Sequence, residues 1–325
     1  MLEHGGHLIE AASKYNIPLT QWIDLSTGIN PNGWDTPKIP AECWQRLPEE
    51  GDGLVSAAKQ YYQCQSILAV AGSQAAIQAL PVLRKKSKVG VLAPAYAEHA
   101  YSWKKAGHEV IELVDIDTQI EQLDVLILIN PNNPSAQGFN KQQLLDWHKQ
   151  LMQRNGWLIV DEAFIDSTPE KSLSSYPVTD GLIVLRSLGK FFGLAGVRCG
   201  FVISTENILK QLNELLGPWT ISHPSRYIST AALLDVEWQI QTQIELKKQS
   251  QRLAFLLEAN GFKISGHTDL FCWVKTKNAE KIYHELARQG VLSRLFKQPL
   301  SLRFGLAKNE YQWQYFDEAL KLIEI

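Results

Sequence analysis

"SLGKFFGLAGVRCGF", residues 187–201, sets a lysine, Lys190, in a loop of small residues and an arginine, Arg198, eight positions on. The flanking runs, "GLIVLRSL" (181–188) and "CGFVIS" (199–204), are apolar enough to be buried strands. A buried charge costs several kcal/mol, roughly, unless it is paired or chemically used. Upstream lie further runs of the same kind: "VGVLAP" (89–94), "HEVIELV" (108–114), "DVLILINP" (124–131) and "GWLIVDEAF" (156–164). Strands apolar on both faces suit a mostly parallel sheet covered by helices, an α/β fold. The covering helices are legible too: "GLVSAAKQYY", "QAAIQALPVLR" and the amphipathic "KQQLLDWHKQLMQRN" (141–155).

The chain has 325 residues, enough for one large or two moderate domains. Residues 1–40 read as an arm with a short helix near 7–15. Residues 41–224 carry the α/β pattern. From 225 a long helical stretch to about 259 leads into a smaller α+β domain ending at 325. Hydrophobic residues make up 45% and charged residues 20%, an ordinary globular balance. A net charge of −2 disfavours a nucleic-acid groove. The four scattered cysteines form no CxxC pair, which argues against zinc or a disulfide framework and fits a reducing cytoplasm. The N-terminal stretch lacks the apolar core of a signal peptide, and no apolar run approaches the roughly 18 residues of a membrane helix.

Polar residues gather where the strands end at their carboxyl side, the edge at which open α/β sheets bind ligands. "AGSQAA" (71–76) places Gly72, Ser73 and Gln74 at a helix start, where free N–H groups suit a phosphate; taken alone, the stretch reads first as a plain Ser N-cap. "INPNNPSAQG" (129–138) ends a strand in a tight turn containing Asn133. "IVDEAF" (159–164) ends another in adjacent carboxylates, Asp161 and Glu162, which by themselves read as solvated strand-end acids. "SLRFGLA" holds Arg303, otherwise an arginine on a surface strand.

Taken in order, the helix start, the aromatic turn "PAYAEH", the Asn-Pro turn, the strand-end Asp and the Lys–x7–Arg spacing resemble the fold-type I pyridoxal-5'-phosphate enzymes. That resemblance implies a seven-stranded, mostly parallel sheet in the large domain and a homodimer. It implies that Lys190 condenses with the cofactor aldehyde and that Asp161 holds the ring N–H. Asn133 would bond the ring's 3'-oxygen, Tyr96 would stack on the ring, and His99 would support Asp161. Gly72, Ser73, Gln74, Ser187 and Arg198 would form the phosphate cup, with Lys190 and Arg198 both buried. Arg303 would grip a substrate carboxylate.

"HGGHLIEAASKYNI", "WIDLSTGINPNGW" and "RLPEEGDGLVSAAKQYY" are similar to the threonine-phosphate decarboxylases of cobalamin biosynthesis. The likeness implies decarboxylation of L-threonine O-3-phosphate, a small phosphorylated amino acid, in the cytoplasm, with no resident metal. The substrate phosphate would be held by His4, Gly5 and Gly6 of the arm, by Asn30 and by Arg294. A flexible terminus is the plain alternative for the arm, and a two-histidine metal site at His4 and His7 is a weaker one. Phe164 and Gly189 stand where many members carry tyrosine and serine, and Leu47 replaces the tyrosine of the histidinol-phosphate aminotransferases. Such an aminotransferase, or a cofactor-binding protein without catalysis, are the other readings.

Overall fold

The computed structural model describes residues 5–323. The chain forms two compact units: Trp34–Asn133 with Gly138–Gln241, and Met1–Gly33 with Pro134–Gln137 and Thr242–Ile325.

The larger unit is built on a seven-stranded sheet. Its spatial order is Ile67–Val70, Gly200–Ile203, Leu182–Ser187, Trp157–Asp161, Val125–Ile129, Lys88–Leu92 and Glu109–Leu113. All neighbours pair in parallel except Gly200–Ile203, which runs antiparallel to both strands beside it. The five residues of Val125–Ile129 are all buried, as are Leu158, Ile159, Val160, Ile183 and Val184. Both alternating sets of side chains are thus covered, which is why these strands read as continuous apolar runs. One face packs Ile127, Ile159, Ile183 and Val202 against Ala76, Ile77 and Leu80, and against Ile208 and Leu212 of the helix Glu206–Leu216. The fold class read from the sequence is the one observed.

Because the one antiparallel strand starts where its neighbours finish, Gly200 is in register with both Val70 and Ser187. The carboxyl ends of Ile67–Val70 and Leu182–Ser187 and the entry to Gly200–Ile203 therefore meet at one edge, next to the ends of Trp157–Asp161 and Val125–Ile129.

The smaller unit holds the antiparallel sheet Arg294–Lys297, Leu300–Gly305, Phe271–Lys275 and Gly266–Thr268. A two-residue strand, Ile23–Asp24, pairs in parallel with Val291–Leu292. The helix Leu8–Tyr15 packs Ala11 against Trp22, Ala287 and Leu292. The run read as one helix from 225 to 259 is two, His223–Leu234 and Val236–Ala259. They part at Asp235, whose carboxylate accepts the N–H of Trp238 at 3.1 Å and the indole N–H of Trp34 at 2.9 Å. An aspartate N-cap starts a helix rather than continuing one.

Candidate active site

In the larger unit, Asp161 is the last residue of its strand and is 3% exposed. Its Oδ2 lies 2.9 Å from Nε2 of buried His99, and its Oδ1 accepts the N–H of Ala163 at 3.1 Å. His99 comes from the helix Ala97–Lys105, whose N-cap is Tyr96; the two rings meet edge-on with centroids 6.3 Å apart. Contacts to both oxygens fix the orientation of the carboxylate. A fixed, buried carboxylate is a partner for a cationic ring N–H.

Gly72 is the N-cap of the helix Ser73–Ala79, and no described side chain caps that helix start. Its φ of +72° favours glycine, and a Cβ there would lie 2.7 Å from Nη2 of Arg198. A Cβ on Gly200 would come within 2.5 Å of the Ser73 nitrogen. The two glycines thus keep open a cradle of helix-start N–H groups and a guanidinium, a donor set suited to a phosphate. The Ser187 hydroxyl accepts the Gly189 N–H at 3.2 Å in the same loop. Gln74 donates to Glu98 at 2.7 Å and accepts from the Tyr96 hydroxyl at 3.4 Å, so it bridges the cradle to the aromatic turn.

Lys190 is half-buried, with Nζ 5.4 Å from the centre of the Phe164 ring. Asn133 is half-buried in the loop after Val125–Ile129; Asn130 holds that loop by accepting the Phe139 N–H at 2.8 Å and donating back at 3.2 Å. Arg198 corrects the sequence-based expectation of a buried cation. It is exposed, with Nη1 donating to Ala195 O at 3.2 Å. The apolar pattern belongs to its neighbours: Arg198 itself occupies a left-handed turn, φ +54°, ahead of the strand.

The adjacent carboxylate Glu162 also departs from expectation. It is fully buried rather than solvated. Arg186 bonds it at 2.7 Å and Asp166 at 2.6 Å, while its guanidinium lies 4.6 Å from the Tyr62 ring centre. Burial raises the Glu162 pKa, against the lowering effect of Arg186, Ser172 and the Leu173 N–H. Nothing in the spacing of "VLRS" marks Arg186 as charged core.

In the smaller unit, Arg303 is 4% exposed and donates through Nη2 to Ser26 O at 2.7 Å. Burial and the Arg294 charge push its pKa down to about 9, so it is cationic at neutral pH. Arg294 is its direct cross-strand partner. Like charges directly opposite are destabilising. Asn30 is buried and accepts the Asn32 N–H at 3.0 Å. Gly6 donates its N–H to Ser26 Oγ at 2.9 Å. A Cβ on Gly5 would meet Ser26 O at 2.5 Å and Arg294 Nη1 at 3.4 Å. Gly5, Gly6, Arg294 and Arg303 thus gather around Ser26, whereas His4 lies outside the described residues.

Residues 20–320 match the sequence model of the family described as aminotransferase class I and II. A threonine-phosphate decarboxylase of Pseudomonas aeruginosa is 49% identical over 98% of this chain and 97% of its own. One from a Sinorhizobium species is 36% identical over 99% and 98%. Among solved structures, the histidinol-phosphate aminotransferase of Sinorhizobium meliloti in complex with pyridoxal-5'-phosphate superposes with a TM-score of 0.86. It covers 98% of this chain and 94% of its own at 17% identity, a likeness of fold. With its strand-end Asp161, glycine-lined cradle and Lys190 loop, the chain belongs to the class I and II aminotransferase family, alongside relatives named threonine-phosphate decarboxylases.

Proposed function

We propose that the chain is a pyridoxal-phosphate-dependent lyase acting on L-threonine O-3-phosphate, releasing CO2 and leaving (R)-1-aminopropan-2-yl phosphate. The Cα–carboxylate bond breaks, the carboxylate departs as CO2, and a proton takes its place on Cα. The observation that carries this is the pairing of Arg294 with Arg303 across one hairpin, beside the Gly5–Gly6 backbone. Two cations kept face to face, one of them buried, suit a ligand with two anionic groups. The 49% and 36% identical relatives carry the name of that reaction. On the resemblance to cobalamin-pathway enzymes, the product would feed the synthesis of that cofactor's side chain.

Bound pyridoxal phosphate supplies an electron-accepting ring for the charge left on Cα. The residues present fit it. Asp161, steadied by His99, holds the ring N–H. The Gly72–Ser73 amides, Ser187 and Arg198 take its phosphate. Asn133 and Tyr96 contact the ring. The Lys190 amine would carry the cofactor and, once the substrate amine has displaced it, would be free to donate the proton to Cα. Arg303 grips the substrate carboxylate; Asn30, Arg294, Gly5 and Gly6 take the substrate phosphate, and so does His4 on the strength of the resemblance. Holding two ends of the substrate sets the rotation about Cα, and that rotation selects which bond breaks. We assign the enzyme to the cytoplasm on its free cysteines; no helix among the described residues is long and apolar enough to cross a membrane.

The test is CO2 release from threonine phosphate with no 2-oxo acid present, at a rate far above that with threonine. A charge-assisted hydrogen bond contributes about 1.5–3 kcal/mol, so losing one lowers kcat/KM about tenfold to a hundredfold. Arg303→Ala damages both substrates, whereas Asn30→Ala shrinks the preference for the phosphorylated one. Amino transfer from histidinol phosphate to 2-oxoglutarate, with no CO2 from threonine phosphate, would sink the proposal.

A further inference from the structure

Ser26 is 2% exposed, and each of its polar groups is used. Its N–H and its hydroxyl both donate to Asp24 Oδ1, at 2.8 and 2.6 Å. Its hydroxyl oxygen accepts the Gly6 N–H at 2.9 Å, and its carbonyl accepts Arg303 Nη2 at 2.7 Å. A turn serine is fully explained by the first of these bonds. The last two are different in kind, for they reach partners 20 and 277 positions away in sequence.

The glycine arm also touches the carbonyl that Arg303 uses. Gly5 runs so close that a Cβ would lie 2.5 Å from Ser26 O, with Arg294 Nη1 3.4 Å away. The arm, the Ser26 peptide and the two arginines are one packed group. Chained hydrogen bonds polarise one another, so the Gly6–Ser26–Asp24 series stiffens the turn that presents the carbonyl to Arg303. Asp24 adds charge to this order, since it favours the cationic form of Arg303.

We propose that Ser26 is a positioning residue that couples the seating of the glycine arm to the aim of Arg303. A substrate anion drawn to the arm then steadies the carboxylate grip, and a substrate carrying both anions is favoured over one carrying only the carboxylate. This rests on the substrate reading above. It adds a residue that touches no substrate yet sets the preference between two.

Ser26→Ala removes the hydroxyl and keeps the carbonyl; Ser26→Thr keeps both. In the cofactor-loaded protein, hydrogen exchange of the N-terminal peptide containing Gly6 should speed up severalfold in the alanine variant. The kcat/KM preference for threonine phosphate over threonine should fall about tenfold, the worth of roughly one buried hydrogen bond, and mainly through KM. Threonine should restore both. Unchanged exchange, an equal fall for the two substrates, or a threonine variant as impaired as alanine would each overturn the coupling. If the alanine variant does not fold, Gly5→Ala presses on the same carbonyl from the arm side and should lower the same preference; equal loss on both substrates counts against it. If the unaltered protein releases no CO2 from threonine phosphate, the substrate reading fails separately. Inorganic phosphate then decides the coupling: it slows arm exchange in the unaltered protein and not in Ser26→Ala, and equal slowing in both refutes it.

Discussion

Among single residues, chemistry and conformation come from different sources. Lys190 is recognisable because an amine beside an apolar strand end needs a use, and half-burial over Phe164 gives it a partly desolvated setting suited to a nucleophile. Purified protein should therefore be yellow, and borohydride should bleach the band while fixing the label on Lys190. Lys190→Ala should lose both, and peptide mapping that finds the same label in that variant would exclude this lysine. Arg198 shows the opposite case. Its surroundings in sequence are apolar, but a left-handed turn puts the residue outside the strand pattern, and the guanidinium stays at the surface beside Gly72. A sequence reports which neighbours are apolar; it does not report a single positive φ on a non-glycine residue.

Among the strands and helices, the strand ends carry more than the proposed cofactor residues. Asp161 and Glu162 are neighbours in sequence with separate partners: His99 for one, Arg186 for the other. Arg186 joins the strand Leu182–Ser187 to Glu162 and Asp166, and the Tyr61 hydroxyl donates to Asp166 at 3.0 Å from the helix Leu54–Tyr62. The cluster ties together the strand that leads to Lys190, the strand that ends in Asp161 and the helix beside them. Removing one member of a buried ion cluster leaves charges without compensation, at a cost of about 3–5 kcal/mol. Arg186→Ala should lower the stability measured by denaturant unfolding by that amount. Glu162→Gln, which keeps a hydrogen-bonding oxygen beside Arg186, should cost less. Equal stability of Arg186→Ala and the unaltered protein would show that the cluster is not holding these elements.

For the molecule as a whole, the helix Val236–Ala259 exposes Val236, Ile240 and Ile244 at four-residue spacing, next to exposed Leu234. An apolar stripe of that kind on a helix suits a contact surface. We expect a second copy of this chain to cover it, as the resemblance to dimeric cofactor enzymes implies. Sedimentation at micromolar concentration should show a dimer, and Ile240→Glu should shift it toward monomer; a protein that is monomeric and fully active would contradict the expectation. The α/β class, most of the strands and helices, and the residue types gathered at the strand ends are legible in the linear chain. Those signals are local: apolar runs, helix-start glycines, and polar residues placed where a strand ends. Folding alone reveals that Arg294 faces Arg303, that Ser26 joins the glycine arm to that pair, and that Glu162 is buried on Arg186. Each of these depends on strand register or on contacts between distant segments, where packing selects one partner among many and local sequence carries no periodic mark of the choice.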